Sequence, residues 1–120
     1  MKPGPPNILV IEDDPDIREN LKLLLELEGY DVSTARHGRE GLERLSRAPL
    51  PKLILLDLMM PVMNGWEFLR AWRARKGTAG IPVLVVSAAG EQAREVSAAG
   101  VLFKPFDASE LMNAVRTFVG

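Results

Sequence analysis

Ile8-Leu9-Val10-Ile11-Glu12-Asp13-Asp14-Pro15 is the stretch that decides the fold. Four apolar residues in a row, without polar alternation, suit a strand buried on both faces, which is the situation of a parallel sheet. Three acids end the run. Asp14 followed by Pro15 then reads as the N-cap and first residue of a helix. That helix runs from Pro15 to Glu28, because Ile17, Leu21, Leu24 and Leu25 recur at helical spacing, and Gly29 stands where it should stop.

The same unit repeats along the chain. Leu53–Leu56, Ile81–Val86 and the brief Val101–Phe103 are further apolar runs, while Tyr30–Ala35 alternates more and reads as an edge strand. Amphipathic stretches lie between them: Arg39–Arg47, Trp66–Lys76, Glu91–Ala98 and Ala108–Val119. Asn64 with Glu67, and Asp107 with Glu110, have the spacing of capping boxes, and Gly77 marks a helix end. Five strands alternating with five helices predict an α/β doubly wound parallel sheet, a three-layer sandwich, because right-handed crossovers put helices on both faces. The Glu91–Ala98 helix is short, about 12 Å at about 1.5 Å per residue.

The 120 residues suit one domain over residues 1–120, with residues 1–6 as a flexible lead containing one lysine, three prolines and a glycine. Hydrophobic residues make up 47% and charged residues 26%, the balance of a globular chain. Cysteine is absent, which excludes disulfides and thiolate metal sites. No apolar run approaches the length of about 18 residues expected of a membrane span. A net charge of −1, with the basic residues scattered, argues against direct nucleic-acid binding.

In an open parallel sheet the strand carboxyl ends share one edge, and ligands bind outside it. Here those ends carry Glu12, Asp13 and Asp14, then Asp57, then Ser87, then Lys104 before Pro105. Taken singly, each has an ordinary explanation: a cap, a turn residue, a solvated tip. As a set they do not, since the fold brings all four ends together. Carboxylates crowded in one crevice repel one another unless a cation compensates. A hard divalent ion such as Mg²⁺ takes carboxylate and phosphate oxygens, and a lysine ammonium and a serine hydroxyl can meet further phosphate oxygens. One carboxylate would remain as a nucleophile, so the crevice points to phosphoryl transfer.

Four segments in order, Ile8–Asp14, Asp57-Leu-Met-Met-Pro-Val-Met-Asn-Gly65, Pro82–Ser87 and Lys104-Pro-Phe106, resemble the receiver domain of response regulators in two-component signal transduction systems. The resemblance covers essentially the whole chain. It implies a flavodoxin-like fold with sheet order 2-1-3-4-5, and a cytoplasmic phosphorelay protein that is not itself an enzyme, though it assists its own phosphorylation and dephosphorylation. Asp57 would accept a phosphoryl group from a sensor histidine kinase or a histidine phosphotransfer protein. Mg²⁺ (or Mn²⁺) would be held by Glu12, Asp13, Asp57 and the backbone carbonyl of Met59. Ser87 and Lys104 would address the phosphoryl group, and the Lys104–Pro105 peptide bond would be cis. The domain would work as a monomer or weak dimer on a downstream target protein, without direct nucleic-acid or membrane contact.

Departures from the family pattern narrow these expectations. Val101 stands where relatives often carry an aromatic residue, so an aromatic switch is not implied. Only 17 positions separate Ser87 from Lys104, which shortens the fourth helix and alters the surface it forms with the last strand and helix. Met59 and Ala89, two places after Asp57 and Ser87, are poorly suited to orienting a water, which predicts slow self-dephosphorylation. Two rival readings are a Mg²⁺-dependent aspartyl-nucleophile phosphatase, which usually needs a second Asp at the Met59 position, and a phosphorylation-independent interaction module, which the joint presence of Asp13, Asp57, Ser87 and Lys104 disfavours. Flavin binding is excluded because no phosphate-cradling loop follows the first strand. His37, the only histidine, reads as a solvated loop residue, and Trp66, Phe68, Leu69 and Trp72 as packing.

Overall fold

The computed structural model describes residues 6–75, 77, 80–88 and 98–119. Five strands, β1 (Asn7–Ile11), β2 (Asp31–Ala35), β3 (Leu53–Leu56), β4 (Val83–Ser87) and β5 (Gly100–Phe103), form one parallel sheet in the order β2-β1-β3-β4-β5. Four helices are described: α1 (Pro15–Leu27), α2 (Gly38–Leu45), α3 (Gly65–Arg73) and α4 (Ala108–Val119). The helix expected over Glu91–Ala98 falls outside the described residues except for Ala98, and Ala89 lies outside them too.

Alternation along the strands divides the core in two. Leu9, Ile11, Ile54, Leu56, Val83 and Val85 face α2 and α3, where Leu42, Leu45, Phe68, Leu69 and Trp72 meet them. Ile8, Val10, Leu53, Leu55, Leu84 and Val86 face α1 and α4, against Leu21, Leu25, Leu111, Met112 and Val115. Strands β1, β3 and β4 are thus covered on both sides, as their uninterrupted apolar runs require. β5 is the second edge of the sheet, and its four residues are only partly buried.

The helix boundaries follow the local chemistry. Asp14 Oδ1 accepts from the Asp16 and Ile17 amides, with Pro15 at the first helical position. Asn64 and Glu67 form a reciprocal capping box, and Asp107 with Glu110 forms another. Gly29 and Gly77 have φ of 95° and 89°, the left-handed conformation expected after a helix. His37 differs from its reading as a solvated loop residue: it is half-buried and is the N-cap of α2, its Nδ1 accepting from the Glu40 amide at 3.3 Å. Pro6, the last residue of the expected lead, accepts from the Asp31 amide through its carbonyl. The Lys104–Pro105 bond is cis as expected, and Ala48–Pro49 is cis as well.

Candidate functional site

The direction of the connections reverses at β1. The chain leaves β1 for β2 on one side, then crosses back to β3 on the other, which opens a crevice at the carboxyl ends of β1 and β3. Backbone bonds hold the residues around it in register: Asp57 N donates to Ile11 O, Glu12 N to Ala35 O, and Lys104 N to Ser87 O, each at 3.0 Å. Four strand ends therefore deliver Glu12, Asp57, Ser87 and Lys104 to one edge.

Glu12, Asp57 and Ser87 are buried at 2%, 7% and 0% exposure, while Asp13 is exposed at the rim. One carboxylate oxygen from each of Glu12, Asp13 and Asp57 lies within 4.8 Å of the other two. Lys104 reaches across from the edge strand and places Nζ 2.6 Å from Glu12 Oε1 and 3.9 Å from Asp57 Oδ2. Asp57 Oδ1 accepts from the Met59 amide at 3.3 Å, and Glu12 Oε2 from the Asp14 amide at 3.4 Å. Ser87 ends β4 at the same edge.

Close packing fixes the loop that carries Asp57. Gly65 opens α3 with its amide on Leu58 O, and a Cβ there would stand 2.6 Å from Asp57 O and 2.7 Å from Leu58 Cα. These are backbone atoms and yield only if the loop or the helix start shifts, so glycine is favoured here by close approach and not by dihedral angle. Val62, three residues earlier, has φ 64°, an uncommon conformation for a β-branched residue.

The electrostatics match a site that awaits positive charge. Burial pushes the Glu12 carboxyl above its ordinary range, and the hydrogen-bonded Asp57 carboxylate adds to this; Lys104 opposes both without cancelling them. Asp13 is also raised, by the loss of water around its carboxyl and by Glu12 beside it. Two oxygens on one Mg²⁺ are at most about 4.2 Å apart at about 2.1 Å per bond. The three carboxylates, within 4.8 Å of one another, would have to close inward to share one ion, and as clustered hard oxygen donors they are the type of ligand a divalent cation takes.

Sequence reading missed Arg18. Its Nη1 donates to the carbonyls of Glu12 at 3.0 Å and Asp13 at 3.2 Å, so the first turn of α1 reaches back to the acidic loop. The signal available was an arginine one turn after an N-cap that directly follows clustered acids.

A five-stranded parallel sheet in the order 2-1-3-4-5, with clustered acids, a lysine and a buried serine at the carboxyl ends of its strands, defines a flavodoxin-like α/β domain. The chain belongs to the response regulator receiver domain family of two-component signalling, whose family model matches residues 8–116. It is 38% identical to a transcriptional regulatory protein CpxR homolog of Haemophilus influenzae, over 93% of this chain and 49% of that protein. Among solved structures it resembles the chemotaxis protein CheY4 of Vibrio cholerae, with TM-score 0.87, 30% identity, and coverage of 97% of this chain and 100% of that one. It also resembles the response regulator TrrA of Thermotoga maritima in complex with Mg²⁺-BeF, with TM-score 0.85, 31% identity, and coverage of 95% and 99%. The chain spans about half the length of the curated regulators it matches. No helix among the described residues is long and apolar enough to cross a membrane.

Proposed function

We propose that this domain accepts a phosphoryl group on Asp57 from a phosphohistidine of a sensor histidine kinase or a histidine phosphotransfer protein. An Asp57 carboxylate oxygen attacks phosphorus, an O–P bond forms as the N–P bond breaks, and the imidazole leaves with the bonding pair. Glu12, Asp13, Asp57 and the Met59 carbonyl would hold Mg²⁺ (or Mn²⁺), with Glu12 acting directly or through a water. When bound, the cation supplies charge neutralisation for the phosphoryl oxygens. Lys104 would leave Glu12 for a phosphoryl oxygen, and Ser87 would donate its hydroxyl to another.

The observation that carries this reading is the position of Lys104 Nζ between Glu12 and Asp57, within one cluster of three carboxylates. A groove of about 600 Å³ beside Lys104, lined by Ile17, Leu21 and Phe106 among others, gives a donor protein an apolar seat next to the acceptor. The domain works in the cytoplasm and assists both gain and loss of the phosphoryl group without turnover of a separate substrate. It acts as a monomer or weak dimer through protein contacts and not by binding nucleic acid itself. Phosphorylation shifts an existing equilibrium between two surfaces, one of which the target reads.

Incubation with Mg²⁺ and acetyl phosphate, followed by intact-mass measurement, tests the reading. One phosphoryl group is expected, lost in Asp57→Asn and in chelator. Unchanged labelling of Asp57→Asn would overturn it.

A further inference from the structure

We propose that Arg18 is a positioning residue for the cation site: it clamps the backbone of the β1–α1 loop so that the Glu12 and Asp13 carboxylates stand ready for a divalent ion. This rests on the cation reading above and adds a residue that touches neither the ion nor the phosphoryl group. Arg18 Nη1 donates to two successive carbonyls, Glu12 O at 3.0 Å and Asp13 O at 3.2 Å. The Arg18 amide donates to Asp14 O at 2.9 Å, so one residue bonds the carbonyls of three consecutive acids. The same acids are also held by the Glu12 amide on Ala35 O, the long Asp14 amide contact to Glu12 Oε2, the Lys104 pairing of the Glu12 side chain and the Asp14 cap on the Asp16 and Ile17 amides. The two Arg18 guanidinium bonds, however, act on the main chain at the two ligand positions themselves.

Two consequences follow from the clamp. With their carbonyls turned toward the guanidinium, Glu12 and Asp13 are left to offer the ion their side-chain oxygens. The loop also loses freedom before the ion arrives, so less ordering is required on binding. An arginine suits the task because its guanidinium stays charged and donates from a fixed plane, whereas lysine offers a compact ammonium on a flexible stem.

A positive charge beside a cation site would on Coulomb grounds weaken cation binding, and this separates the two possible roles of Arg18. If the clamp dominates, removing Arg18 weakens binding; if the charge dominates, removal tightens it. The experiment measures Mn²⁺ affinity from the paramagnetic resonance signal of free Mn²⁺, and amide hydrogen exchange at Asp13 and Asp14 in the metal-free chain. Arg18→Met is expected to raise the Mn²⁺ dissociation constant about 10-fold, the lower end of what losing an outer-shell partner costs a metal site. It is also expected to speed exchange at both amides, and Arg18→Lys should recover part of each effect. Thermal unfolding checks that the variants fold, and Arg18→Gln replaces Arg18→Met should the latter not fold. Unchanged or tighter Mn²⁺ binding in a folded Arg18→Met chain overturns the role of Arg18 alone. Failure of the unsubstituted chain to bind Mn²⁺ overturns the cation reading, and the role of Arg18 with it.

Discussion

Lys104 Nζ lies 2.6 Å from Glu12 Oε1 and only 3.9 Å from Asp57 Oδ2, so the lysine is paired with the first strand while poised over the third. The chain thereby holds its own cation against the carboxylates. Lys104→Ala leaves Glu12 buried with its pairing lost, and is expected to destabilise the metal-free domain by about 1–3 kcal/mol at pH 7. Mn²⁺ affinity should hold or rise, because the ammonium paired with Glu12 competes with the ion on Coulomb grounds and is not a ligand to it, while coupling between phosphorylation and target binding is lost. Urea unfolding with and without Mn²⁺ checks the first two points.

The raised carboxyls predict how pH acts. Folded Glu12 and Asp13 hold protons more tightly than in the unfolded chain. Their contribution to stability is therefore most favourable at low pH and declines as pH rises from the ordinary carboxylate range, about 4, through the higher folded values. A divalent ion competes with those protons. Stabilisation by Mg²⁺ should be large at pH 8 and small at pH 5, as measured by the shift in unfolding midpoint at the two pH values.

Gly65→Ala sets a Cβ against Asp57 O and Leu58 Cα, both backbone atoms. Relief requires the Asp57 loop or the start of α3 to move, at a cost of about 1–3 kcal/mol. Chemical unfolding should show that loss, and acetyl phosphate labelling of Asp57 should slow even where the protein stays folded.

Val62→Gly should act in the other direction. The left-handed conformation costs an L-residue roughly 1–2 kcal/mol, and glycine gives back about 0.5–1 kcal/mol through the entropy of the unfolded chain. Val62 is 63% exposed, so little packing is lost. A net gain of about 0.5–1 kcal/mol is expected from urea midpoints.

Met59 is 61% exposed and its thioether is a weak acceptor at best, so it orients an attacking water poorly. Phosphorylated protein in Mg²⁺ should persist for minutes or longer, and Met59→Asn should shorten that lifetime. Decay within seconds in the unsubstituted chain would contradict the expectation; the loss of phosphoryl mass with time measures it.

Much of this was legible in the residues themselves. Leu53–Leu56 and Ala108–Val119 have the boundaries their patterns predict, and α1 ends one residue early, because burial and capping decide those ends locally. The β4 strand begins at Val83 and not Ile81, since Pro82 has no amide to place in the ladder, though its carbonyl accepts from Ile54. The cap at His37 was missed because imidazole is not among the preferred capping groups, and it is the ring's orientation in the fold that brings Nδ1 to the Glu40 amide. Glu12, Asp13, Asp57, Ser87 and Lys104 were readable from strand ends, which topology alone gathers. The pairing of Lys104 with Glu12 was not, because it joins residues 92 positions apart and depends on rotamers no pattern encodes. Arg18 escaped for a related reason: its donors reach main-chain carbonyls, which carry no mark in a sequence.

A structure with Mg²⁺ and beryllofluoride, a stand-in for the phosphoryl group, tests the central claim most directly. The account predicts beryllium on an Asp57 carboxylate oxygen, the cation shared by Asp13 and Asp57, and Lys104 Nζ moved from Glu12 to a fluorine. Beryllium on another carboxylate, or Lys104 still paired with Glu12 beside a filled Asp57, would contradict it.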